Sequence, residues 1–117
     1  MYLLDDDVSV LSSTRRLLDS AGWQVEAFTD PTTFLERAAM RRPSLAVIDI
    51  RMPQMNGLEV QTRLGKVSPS TQVIVLTSND DPSIREMALN AGASGFFVKG
   101  ADNKEFLDAI KAAAHTN

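Results

Sequence analysis

Four short apolar runs in this 117-residue chain each stop at residues able to do chemistry. Tyr2-Leu3-Leu4 runs into Asp5-Asp6-Asp7, Leu45-Ala46-Val47-Ile48 into Asp49, Val73-Ile74-Val75-Leu76 into Thr77-Ser78, and Phe96-Phe97-Val98 into Lys99. If the runs are parallel strands, their C-terminal ends share one edge of one sheet. That edge then gathers at least three acids, a hydroxyl and an ammonium. Crowded carboxylates repel one another. The expected site is therefore a divalent-metal pocket in which one aspartate is the reactive group.

Asp49 closes the most apolar of the runs and is the candidate nucleophile. A carboxylate can attack phosphorus, and aspartyl phosphate is a known product. Asp5 and Asp6 are placed to supply a site for Mg²⁺ or Mn²⁺, hard cations that take oxygen ligands, water and phosphate oxygens. Lys99 would neutralise an oxygen of an acyl phosphate, and the Thr77 hydroxyl would donate a hydrogen bond to another. Taken singly, each residue has a plainer reading. A strand-end aspartate often caps the next helix or turns the chain, a lone lysine is usually on the surface, and a lone threonine often ends a strand. It is the joint pattern that independent turns do not explain.

The stretches between the runs have helical period. Val8, Leu11, Leu18 and Ala21 share a face, with Gly22 as the stop. Trp23, Val25 and Ala27 alternate and predict a second strand. Asp30-Pro31 and Asp81-Pro82 each read as an N-cap followed by proline in the first turn. Phe34, Leu35, Ala38 and Ala39 make the face of the first of these helices, and Ile84, Ala88 and Ala91 that of the second, with Gly92 ending it. Leu45–Ile50 suits a strand buried on both faces. Asn56-Gly57 is the strongest turn signal, Leu58, Val60, Gln61 and Leu64 predict a short third helix, and Gly65 to Ser70 reads as a connector. Asp102 and Glu105 have capping-box spacing before a last helix carrying Phe106, Leu107, Ile110 and Ala113. The order βαβαβαβαβα predicts an α/β domain, residues 1–117, with a doubly wound parallel sheet. Ligands of such sheets bind outside the carboxyl ends of the strands.

Composition bounds the function. Hydrophobic residues make 44% and charged residues 23%, with a net charge of −3 and no basic stripe, so this segment is a poor nucleic-acid binder by itself. There is no cysteine, which excludes thiolate chemistry and disulfides, and the one histidine, His115, lies at the far end. No apolar run is long enough to span a bilayer and no signal peptide opens the chain, so a cytoplasmic protein without membrane partners is expected. P-loop and Gly-x-Gly-x-x-Gly motifs are missing.

Together these residues resemble the bacterial response-regulator receiver domain, the CheY-like phosphoacceptor of two-component signalling. The matching pieces are Leu3-Leu4-Asp5-Asp6-Asp7, Val47 to Pro53 with Asn56-Gly57, Val75-Leu76-Thr77-Ser78, and Ala91 to Phe96 leading to Lys99. The resemblance implies a flavodoxin-like (βα)5 fold with strand order 2-1-3-4-5. It implies that Asp49 is the phosphoacceptor, that Asp6 and Asp49 ligate Mg²⁺ through carboxylates and Arg51 through its carbonyl, and that Asp5 acts through a water. Thr77 and Lys99 would contact the phosphoryl group, and Thr77 and Phe96 would form the switch. The implied partners are a sensor histidine kinase and, on activation, a second copy. The Met52 to Gly57 loop and Lys99-Gly100-Ala101-Asp102 are most similar to the NarL/FixJ branch, which carries LuxR-type helix-turn-helix outputs. DNA would be reached only through an output domain absent from this chain. Gly100 departs from the proline that often follows the lysine, and Phe96 lacks a tyrosine's hydroxyl. Two rivals remain: a stand-alone or degenerate receiver used as an interaction module, and a small phosphatase with an aspartate nucleophile. The phosphatase would want a second aspartate where Arg51 stands.

Overall fold

The computed structural model describes residues 1–50, 56–78, 81–100 and 103–115. Ten elements alternate: β1 Tyr2–Leu4, α1 Val8–Ser20, β2 Glu26–Phe28, α2 Pro31–Arg41, β3 Leu45–Ile48, α3 Gly57–Val67, β4 Gln72–Thr77, α4 Pro82–Asn90, β5 Gly95–Val98 and α5 Asn103–Ala114. The strands form one parallel sheet in the order β2-β1-β3-β4-β5, the flavodoxin-like arrangement expected.

Strand side chains alternate between two faces, and each face has its own core. Tyr2, Leu4, Ala46, Ile48, Val73, Val75 and Phe96 point to one, where they meet Phe34 and Ala38 of α2, Val60 and Leu64 of α3, and Ala88 of α4. Leu3, Leu45, Val47 and Ile74 point to the other, against Leu11 and Leu18 of α1 and Phe106, Ile110 and Ala113 of α5. Both faces are covered, which is why the β3 run is apolar throughout.

The proline signals hold. Asp30 accepts from the Thr33 N–H at 3.1 Å and Asp81 from the Ser83 N–H at 2.9 Å, with proline in the first turn of α2 and of α4. Several boundaries differ from expectation, among them β3, which ends at Ile48 and not at Ile50. Trp23 lies before β2, because its N–H donates back to the Leu18 carbonyl and closes the end of α1 around Gly22, at φ +94°. The alternation was nonetheless real, since Trp23, Val25 and Ala27 all pack on the α1/α5 side. The predicted connector from Gly65 is helical as far as Val67, with Ser68 closing α3 onto the Leu64 carbonyl. One glycine lowers helix propensity, but the packing of Val60 and Leu64 carries the helix through it. Asp102 of the predicted capping box lies outside the described residues; Glu105 sits in the first turn of α5.

Candidate functional site

The ends of β1, β3, β4 and β5 meet at one edge of the sheet. Backbone bonds carry the ladder one residue past the strands: the Asp49 N–H donates to the Leu4 carbonyl at 3.0 Å, and the Lys99 N–H to the Thr77 carbonyl at 2.8 Å. The side chains that follow the apolar runs are thereby held beside one another.

Asp5, Asp6 and Asp49 each offer a carboxylate oxygen, all within 4.8 Å of one another. Asp5 and Asp49 are 3% and 5% exposed, whereas Asp6 is half-buried. Lys99 reaches in from β5 and bridges the two buried acids. Its Nζ donates to Asp5 Oδ2 at 2.7 Å and to Asp49 Oδ2 at 3.1 Å. Burial pulls the lysine's pKa down, but the hydrogen bond it donates to Asp5 and the charge of Asp49 outweigh it, and the net shift is upward. Lys99 is thus held as a cation. It is not the surface lysine of the plainer reading.

Asp7 does take the plainer role. Its carboxylate accepts from the N–H groups of Ser9 and Val10 and caps α1, while its own N–H donates to Asp5 Oδ1 at 3.0 Å. Asp5 is thereby oriented from both oxygens. Thr77 is fully buried at the end of β4 and continues the face of Val73 and Val75. Phe96, opposite Val75 in the ladder, is buried on that same face, and the Arg85 guanidinium lies 5.7 Å from its ring centre. Arg51 lies outside the described residues. Gly100 has φ +82°, a value closed to a proline ring, so the loop after Lys99 takes a path that the more usual residue forbids.

Three hard carboxylate oxygens with no soft donor among them suit a small divalent cation such as Mg²⁺ or Mn²⁺. Three negative groups face one ammonium, so the described cluster keeps an excess of negative charge for a cation to offset.

Two residues of α3 matter more than their sequence signals suggested. Asn56-Gly57 opens the helix: Asn56 Oδ1 caps the Leu58 N–H at 2.8 Å. A Cβ on Gly57 would run into the Ile50 Cα and, at 2.6 Å, the Asp49 carbonyl oxygen. Glycine is required there by close approach to the backbone of Asp49. The second residue is Gln61, 4% exposed, whose Nε2 donates to the Ala88 carbonyl of α4 at 3.0 Å.

The family profile described as the response regulator receiver domain matches residues 1–111. The chain belongs to this family. Among curated relatives, the receiver is 35% identical over 113 residues to the response regulator protein TodT of Pseudomonas putida, covering 97% of this chain and 50% of that protein. It is 38% identical over 109 residues to the response regulator MprA of Mycobacterium leprae, covering 93% of this chain and 48% of that one. Among solved structures it resembles the crystal structure of FixJ-N, with a TM-score of 0.91 at 29% identity over 99% of this chain and 93% of that one. This likeness agrees with the branch expected from the loop motifs. The receiver spans about half the length of the curated relatives it matches. Receiver domains of response regulators are signalling switches and not enzymes in the usual sense. No helix among the described residues is long and apolar enough to cross a membrane.

Proposed function

We propose that this receiver accepts a phosphoryl group on Asp49 from the phosphohistidine of a sensor kinase. The observation that carries the reading is Lys99 Nζ bridging Asp5 and Asp49 beside the cluster of three carboxylates. Attack by an Asp49 oxygen forms an O–P bond as the N–P bond breaks, and the imidazole leaves with the bonding pair and takes a proton. Asp5, Asp6 and Asp49 would hold Mg²⁺ or Mn²⁺, together with the carbonyl of Arg51. When bound, the cation supplies positive charge against the phosphoryl oxygens.

The remaining work falls to the chain itself. Asp5, tied by Asp7 and Lys99, orients the ammonium. Lys99 exchanges its bond to Asp49 for one to a phosphoryl oxygen, and the Thr77 hydroxyl donates to another. Thr77 and Phe96 are both buried, at 0% and 5% exposure, so a shift of either must be matched by its packed surroundings. Differential stability of a few kcal/mol suffices to shift such a two-state switch. The changed face, formed by α4, β5 and α5, then meets a second copy or an effector.

Relatives about twice as long leave room for an output domain, and the resemblance of the loop motifs to the NarL/FixJ branch favours one that reads DNA. Regulation of transcription in the cytoplasm follows from that reading. Incubation with acetyl phosphate and Mg²⁺, followed by intact mass, tests the acceptor. The parent should gain one phosphoryl group and Asp49→Asn none. No gain in the parent, where a control receiver responds, would favour an unphosphorylated interaction module. Steady turnover of small phosphomonoesters would favour the phosphatase.

A further inference from the structure

Gln61 is a buried polar side chain with an awkward balance. Its Nε2 donates to Ala88, but its Oε1 is buried with no partner among the described residues. An orphaned buried acceptor costs stability, so an apolar residue of the same volume would pack there more favourably. What the glutamine does gain is a specific bond between two helices.

The bond falls at a particular place on α4. Ala88 is the one fully buried residue of that helix, and its carbonyl lies in the last turn. The Gly92 N–H goes to Leu89 instead, so the Ala88 carbonyl is taken by the Ala93 N–H at 3.1 Å and by Gln61. Gln61 therefore caps the C-terminal end of α4 from another helix. The N-terminal end of α4 is capped by Asp81, and its first turn is exposed at Pro82 and Ser83. Ile84 and Arg85 also touch the body of the protein, on the core and over Phe96, but among the described residues the buried hydrogen bond from another helix falls at the C-terminal end.

The other end of the same path is Gly57. It is the first residue of α3, its N–H donates to the Ile50 carbonyl at 2.9 Å, and it has no clearance from the Asp49–Ile50 backbone. Gly57 and Gln61 are four residues apart, about one helical turn. A helix turn is stiff on the scale of a hydrogen bond. Any displacement of the Asp49–Ile50 peptide must move the start of α3, and Gln61 with it.

We propose that Gln61 is a positioning residue that ties the C-terminal turn of α4 to the backbone at Asp49 through α3. The inference rests on the phosphoacceptor reading for the origin of the displacement. It adds a mechanical path that does not pass through Thr77 or Phe96. In this arrangement α4 answers the site at its buried end by changing the strength of one hydrogen bond.

The test compares the parent with Gln61→Met, Gln61→Leu and Gly65→Ala by amide NMR, with Mg²⁺ and beryllofluoride added as a phosphoryl mimic. Gly65 has open space around it on the same helix and serves as the control. In the parent, amides at the strand ends (Asp6, Thr77, Lys99) and at Ala91 to Ala93 should both shift. Gly65→Ala should match it. The Gln61 variants should keep the strand-end shifts while those at Ala91 to Ala93 fall by about half or more. Equal shifts at Ala91 to Ala93 in parent and variants, or none there in the parent, overturn the link while sparing the phosphoacceptor reading. Silence at the parent's strand ends overturns that reading and the link with it. Loss of native dispersion in both Gln61 variants would make the residue a packing element and also overturn the proposal.

Discussion

Asp6 is the acid of the cluster that Lys99 does not reach, since the ammonium pairs with Asp5 and Asp49. It is also the most exposed of the three. Removing its charge relieves repulsion without unpairing the lysine. Asp6→Asn should therefore melt higher than the parent in EDTA, with about 4 °C expected per kcal/mol gained for a domain of this size. A lower melting point there would sink the repulsion argument. Added Mg²⁺ should stabilise the parent by mass action, about 2.7 kcal/mol at a hundred-fold excess over Kd, and Asp6→Asn much less. At this scale the sequence was legible where a polar residue followed an apolar run. Asp5, Asp49, Thr77 and Lys99 all lie at the shared edge as their positions implied. Gln61 was placed on the inner face of its helix by spacing, but nothing in the spacing names a carbonyl 27 residues away as its partner.

The helix α3 offers a paired experiment on glycine. Gly57→Ala must push the Asp49–Ile50 backbone, whereas Gly65→Ala meets nothing within 4 Å. Gly65→Ala should stabilise by about 0.5–1 kcal/mol through helix propensity and leave phosphorylation unchanged. Gly57→Ala should slow phosphorylation and weaken Mg²⁺ binding, read by intact mass and by the Mg²⁺-dependent melting shift. Equal phosphorylation in the two variants would show that the strand end yields freely. A second expectation concerns α4. Hydrogen bonds from Ser83 hold the Asp81 carboxyl below its ordinary value of 3.8. A depressed folded pKa adds stability above the unfolded value, and that stability is lost as pH falls through the folded one. Asp81→Ala should thus melt below the parent at neutral pH, and the gap should close as acid protonates the parent's cap. Element boundaries were the least legible feature. Trp23 read as strand because its side chain alternates correctly, yet its backbone is spent on closing α1. Gly57 read as a turn because Asn-Gly has that local habit, whereas the reason for glycine is a backbone that comes near only after folding.

The molecule as a whole is two cores separated by one sheet, and the site lies where both end. Lys99 joins the last strand to Asp5 and Asp49, whose side chains are 5% exposed. Lys99→Met leaves two buried carboxylates facing each other without the ammonium. Breaking such a pair from one side typically costs about 3–5 kcal/mol. The variant should melt well below the parent in EDTA, and Mg²⁺ should restore part of the loss by supplying positive charge. No recovery with Mg²⁺ would place the cation away from these acids. The fold class and strand order were legible because alternation of apolar runs with helical faces is a property of the whole chain and survives local errors. A further consequence lies in the 94 residues that separate Asp5 from Lys99. A chain emerging from the ribosome shows Asp49 long before β5 exists. Until that last strand docks, the proposed acceptor has no ammonium beside it. On the proposed mechanism, competence then waits for β5 to take its place in the sheet.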